Sequence, residues 1–228
     1  MKNSPSRRRS FLTGLGAAAV AAAGVGAAES QSASRPAAEA FTPQRHADDD
    51  WMDTLPGKHR MVIDAVTPHG AGEAILYANN LYEANKPYGL TSKDLAIIVV
   101  MRHYATPFAF NDDMWAKYGK PLGESLKFVD PKTNQAPTVN LYNASGYGMA
   151  LPNLGSTIDA ALKNGTHLAI CEVAMHFVSG VAAGPGGDAK AVYNTFKANA
   201  LPQSHFVSAG VVAVNRAQER GYTLIYAG

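Results

Sequence analysis

Seven consecutive apolar residues, Leu95-Ala96-Ile97-Ile98-Val99-Val100-Met101, constrain this chain most. A run with no polar side has no face to give to water, so it reads as a strand covered on both sides. Strands of that kind belong to parallel sheets with helices packed above and below. Other stretches agree. Met61 to Val66 is a second apolar, β-branched run, and Leu168 to Ile170, His205 to Val207 and Tyr222 to Tyr226 are shorter ones. Between them, apolar residues recur at helical spacing: Ile75, Ala78, Leu81 and Tyr82; Met114, Trp115 and Tyr118; Val192, Tyr193 and Phe196; Val211, Val214 and Ala217. The alternation predicts an α/β fold, a three-layer α/β/α sandwich with a mainly parallel sheet of about five strands.

Two stretches stand apart from that rhythm. Thr67-Pro68-His69-Gly70-Ala71-Gly72 reads as a loop by composition, with a helix from Glu73 to Lys86 that Pro87 and Gly89 stop. Gly119 to Asn153 is rich in Gly, Pro, Asn and Lys. It holds two strand-like pieces, Leu126 to Val129 and Thr138 to Tyr142, around the turn residues Asp130-Pro131-Lys132-Thr133-Asn134. This predicts an inserted hairpin, placed as a lid or an oligomer contact.

The chain begins with a basic stretch, Ser6-Arg7-Arg8-Arg9-Ser10-Phe11-Leu12, and continues in Ala and Gly to Ala28. An arginine pair before Phe-Leu and a weakly apolar run predict a twin-arginine export signal over residues 1–28 and a periplasmic or otherwise exported protein. The protein is then membrane-bound only if that leader stays uncleaved. Residues 29–56 are expected to be a flexible lead-in, Ser/Ala/Pro-rich in their first part, and residues 57–228 the folded domain. The whole chain carries 20 basic and 18 acidic residues, a net of +2. Losing Lys2, Arg7, Arg8 and Arg9 with the leader turns +2 into −2. The basic pI therefore gives no argument for nucleic acid as a partner, and the body carries no basic patch in its sequence.

The candidate chemistry centres on Cys171, the single cysteine. The strand Leu168 to Ile170 precedes it, and helical spacing (Val173, Ala174, Phe177, Val178) follows. The thiol is thus expected where a strand ends and a helix starts, the margin at which open parallel sheets bind ligands. Free N–H groups and the helix dipole there favour a thiolate. Two readings stand: a buried small apolar residue, or a reactive thiol. His103, just past the central strand in Arg102-His103-Tyr104, is expected at the same margin as a base or ligand. Met101, His103, Cys171, Met175 and His176 are soft or borderline ligand types, but no metal-site spacing joins them, so neither metal nor cofactor is predicted.

Ile170-Cys171 opening a helix, Ser208-Ala209-Gly210-Val211-Val212 opening the last one, and Gln218-Glu219-Arg220-Gly221-Tyr222 closing it together resemble the DsrE/DsrF-like superfamily of sulfur-relay proteins, from about Arg60 to the C-terminus. The resemblance implies an α/β/α fold, homo- or hetero-oligomers, and a cysteine at the position of Cys171 that accepts sulfur as a persulfide from a donor protein and passes it to an acceptor. The resemblance assigns no role to His103, which is expected from its position at the sheet margin to assist proton transfer. Many members of the superfamily have no relay role, so a second expectation is kept: a non-catalytic, oligomeric binding module for a small ligand or metal. A structural protein with a buried thiol is the third.

Overall fold

The expected strands form a single parallel sheet in the order Ser204–Val207, His167–Cys171, Leu95–Met101, His59–Ala65, Thr223–Ala227. The computed structural model describes residues 42–228, so the expected leader and residues 29–41 lie outside the described residues. In chain order the elements are α1 (Trp51–Thr54), β1 (His59–Ala65), α2 (Pro68–Asn85), β2 (Leu95–Met101), α3 (Asp112–Leu126), α4 (Ile158–Lys163), β3 (His167–Cys171), α5 (Glu172–Ala183), α6 (Ala189–Ala198), β4 (Ser204–Val207), α7 (Gly210–Glu219) and β5 (Thr223–Ala227). Every residue of β2 is buried, as a central strand with both faces covered must be.

The order of the strands decides which face each helix covers. From β1 to β4 the chain steps across the sheet in one direction, and right-handed crossovers then place all intervening helices on one side. That side holds the larger core, built from Ile63, Ile97, Val99, Leu168 and Ile170 against Ile75 of α2, Trp115 of α3, Ile158 of α4, Met175 of α5 and Phe196 of α6. The return from β4 to β5 runs the other way, so α7 lies on the opposite face. There Val62, Ile98, Val100, Ala169 and Val207 meet Ala213, Val214 and Ala217 of α7 and Met52 of α1. The result is the predicted three-layer α/β/α architecture. Among the described residues, no helix is long and apolar enough to cross a membrane.

Three expectations need correction. First, Pro68 to Gly72 is not a loop but the first turns of α2. Thr67 caps it, its hydroxyl accepting from the Gly70 N–H at 2.9 Å, and Pro68 occupies the first helical position, where a missing N–H costs nothing. Gly70 is needed for contact rather than for turning, since a Cβ there would run into the Ala227 backbone.

Second, the expected hairpin is absent. Helix α3 continues to Leu126 through Gly119 and Pro121, and the chain from 127 to 157 forms turns with no strand among the described residues. Side chains rather than a ladder satisfy its backbone neighbours. The Asn140 carboxamide donates to the Phe108 and Phe110 carbonyls, both at 2.9 Å, and Tyr142 sits fully buried among Phe108 and Phe128. Pro131 and Pro137 remove N–H groups that a ladder would need. The segment approaches α3 so closely that a Cβ on Gly119 would overlap the Pro137 carbonyl oxygen. Gly119→Ala gains about 1 kcal/mol of helix propensity but loses about 1–3 kcal/mol to overpacking against backbone that cannot swing away. A net loss of stability is therefore expected in urea unfolding; equal or greater stability would show that the segment is not docked on α3.

Third, the folded domain starts before residue 57. Met52 and Leu55 are buried, and the Met52 carbonyl accepts from the Tyr222 hydroxyl at 2.6 Å. The expected lead-in is therefore packed structure over its last residues.

Candidate functional site

The register brings the chemistry-bearing residues to one margin. Met101 pairs with Ile170, which sets Arg102 beside Cys171, and Cys171 pairs with Val207. Side chains alternate along a strand, so Asp64, Arg102 and Cys171 all fall on the α7 face of the sheet. The N-terminal ends of α5 and α7 converge over them. Together they enclose a pocket of about 350 Å³ lined by Arg102, His103, Tyr104, Cys171, Val173, Ala174, Phe177, Ala209, Gly210 and Val211. That volume lies at the lower end of the range for small-molecule sites.

Cys171 is the last residue of β3 and the N-cap of α5. Its Sγ accepts from the Ala174 N–H at 3.4 Å, so the sulfur occupies the place a serine or aspartate oxygen takes at many helix starts. Only 6% of the residue is exposed, yet it lines the pocket. The two facts are compatible, because a lining residue needs to present only a small part of its surface to the pocket. Glu172 does not crowd the sulfur. Its carboxylate turns toward α6, accepting from the Tyr193 hydroxyl at 2.6 Å and from Lys197 at 3.2 Å. The Tyr193 hydrogen bond first, and Lys197 after it, hold Glu172 below the usual carboxylate range.

Arg102 forms the charged side of the floor. Its Nε and Nη2 donate to the two Asp64 oxygens at 2.7 and 2.9 Å, a bidentate pair. That hydrogen-bonded carboxylate is the main cause of the upward shift of the guanidinium; burial opposes it, and the Cys171 sulfur adds a smaller push in the same upward direction. The arginine stem passes so close to the start of α7 that any Cβ on Gly210 would collide with it. Gly210 is thus what lets α7 approach the pocket.

His103 also lines the pocket and is exposed. Its backbone is left-handed, φ +54°, a conformation histidine tolerates better than most residues. This turn carries the chain off the end of β2 and sets the His103 ring against Tyr104, tilted by 40° with centroids 4.2 Å apart. Among the described residues no hydrogen bond joins His103 to Cys171. The two share a wall, not a contact.

The other candidate ligands are not gathered. Met101 and Met175 are fully buried in the core on the opposite face of the sheet. His176 stacks on Tyr193, outside the pocket, at 4.5 Å. Among the described residues, no group of three or more His, Cys, Asp or Glu side chains is placed to hold a metal. The apolar spacing of α5 also resolves differently from expectation: Ala174, Met175 and Val178 are buried, whereas Val173 and Phe177 are 63% and 52% exposed and form the pocket rim with Val211 of α7.

Asp64 and Gly210 carry weight in this site that residue type and spacing did not suggest. For Asp64 a signal was present, because a carboxylate inside the apolar run Met61 to Val66 must find a partner. No family model, no curated protein and no solved structure matches this chain.

Proposed function

We propose that the chain is an exported, DsrE-like protein in which Cys171 serves as a thiol-based sulfur carrier. The observation that carries this reading is the sulfur at the floor of an apolar pocket, at the first turn of a helix, beside a fixed arginine. In the step proposed, the Cys171 thiolate attacks the outer sulfur of a donor persulfide, R–S–SH. The donor S–S bond breaks, the donor leaves as R–S⁻, and Cys171–S–SH forms, with no net oxidation. Arg102 holds a positive charge near the sulfur throughout, because Asp64 fixes it in place. In this reading His103, exposed on the pocket lining, takes up or returns the proton. Partners in this reading are a sulfur donor and acceptor and further copies of the chain, for which the exposed Val173, Phe177 and Val211 offer apolar surface.

A second reading is favoured by the same lining. Most of the pocket wall is carbon, and the Arg102 charge is already committed to Asp64, so the pocket also suits a binding module that holds a small apolar ligand without turnover. Mass spectrometry after incubation with a low-molecular-weight persulfide separates the two. The carrier gains one sulfur atom on Cys171, removable by dithiothreitol. A binding module gains none, and the carrier reading then fails.

A further inference from the structure

On the α7 face, away from the pocket, three rings stack at the adjacent strands β3 and β4. The Trp51 ring lies on His205 of β4 with centroids 3.8 Å apart and planes within 4°, and 6.4 Å from the ring of His167 of β3. The Nδ1 of His167 and the Nε2 of His205 are 2.9 Å apart. A contact that short between two ring nitrogens needs one N–H and one lone pair, so at least one ring is neutral. With both rings protonated there is no acceptor, and two positive charges meet at hydrogen-bond distance.

Trp51 belongs to the segment that docks onto this face ahead of β1. Its other fastenings are apolar at Met52 and Leu55, which are buried in the core on this face, and charged or polar elsewhere. Asp49 faces Arg216 at 3.8 Å, Asp50 and Asp53 face Arg220 at 3.6 and 3.1 Å, and Arg60 donates to the Met52 carbonyl at 3.3 Å. Tyr222 donates to that same carbonyl, and Arg45 also reaches Asp53, at 3.5 Å. With His46, Asp48 and Asp49 the segment walls a cleft whose far side is Glu172, Val207, Ser208 and Arg216. Glu172 directly follows Cys171, and Val207 is its partner in the sheet.

We propose that residues 46–51 are a strap seated through Trp51 on the His167–His205 pair, with buried Met52 and Leu55 as its fixed end, and that a second proton on that pair releases Trp51 and opens the cleft bordered by Glu172 and Val207. A first proton is tolerated, because a shared N–H between the rings under the Trp51 face suits a single charge. The second has no acceptor to replace. The direction agrees with the surroundings: burial, and then the neighbouring ring, push His205 down from 6.5 to about 4, and burial lowers His167 too. A histidine lowered in the docked state contributes docking stability that is complete above 6.5 and is lost as pH falls toward about 4. Asp49, Asp50 and Asp53 fasten the same segment through ion pairs, so the test must separate them from the rings.

Tryptophan emission of the full chain, with the Trp51→Phe spectrum subtracted to remove Trp115, reads the strap directly. The expected result is a red shift as pH falls from 6.5 toward about 4, with far-UV circular dichroism unchanged. In His205→Asn the shift is lost. It is lost equally in His167→Asn, which leaves one ring and a single proton. In Asp53→Asn it persists. A Trp51 signal that is constant until the fold itself is lost overturns the proposal. So does a shift that survives in both histidine variants, which would assign the release to the carboxylates.

Discussion

In Asp64→Ala the protein loses about 3 kcal/mol of folding free energy and the pocket loses its fixed cation. Asp64 is 6% exposed and meets Arg102 through both carboxylate oxygens. Removing it strands a guanidinium whose side chain keeps 23% of its area in water. Breaking buried pairs costs about 3–5 kcal/mol, and the partial exposure of Arg102 puts this one at the low end. The pair cannot be rescued by a simple shift of the arginine, because its stem is wedged against Gly210. Urea unfolding measures the loss, and the rate of sulfur uptake by Cys171 should fall with it, since the cation beside the sulfur is no longer held. Wild-type stability in Asp64→Ala would mean that the ion pair contributes nothing and that Arg102 is free to move.

Cys171→Ser is expected to have the opposite profile: no loss of fold and total loss of sulfur uptake. The Sγ caps α5 by accepting the Ala174 N–H, and serine is a stronger capping residue than cysteine. Its hydroxyl also keeps that partner at a site with little solvent, so stability should change by no more than about 1 kcal/mol. A hydroxyl neither attacks a persulfide sulfur nor carries one, so the one-sulfur mass gain should vanish from the whole protein. A persisting gain would place the carrier chemistry somewhere other than the only cysteine. A large loss of stability would show that the thiol is there for packing.

The fold was legible because its constraint is local. Leu95 to Met101 has no polar face, and a strand of that kind admits few environments. The position of Cys171 was legible for a related reason: the apolar period changes from strand to helix at that residue, and it is indeed the end of β3 and the cap of α5. What stayed hidden was non-local. Composition gave Pro68 to Gly72 to a loop, yet Gly70 and Gly72 serve close contacts of a helix with Ala227, Tyr142 and Pro152, far away in sequence. The segment from 127 to 157 has strand-like pieces, but the carboxamide of Asn140 and the ring of Tyr142 anchor it by other means. Val173, Phe177 and Val211 fit a buried helix stripe in the sequence; only the convergence of α5 and α7 leaves them as the rim of a pocket. The same holds for Trp51, which lies in a stretch that reads as lead-in and stacks on two histidines from the adjacent strands β3 and β4.

The central claim is that the Cys171 sulfur is open to reagents from the pocket although the residue is nearly buried. Alkylation of the native protein by iodoacetamide, followed by the mass of the peptide that contains Cys171, tests it most directly. The expected product is a single carbamidomethyl group on Cys171 in the absence of denaturant, with circular dichroism unchanged. Full protection in the native state, with modification only after unfolding, would contradict it.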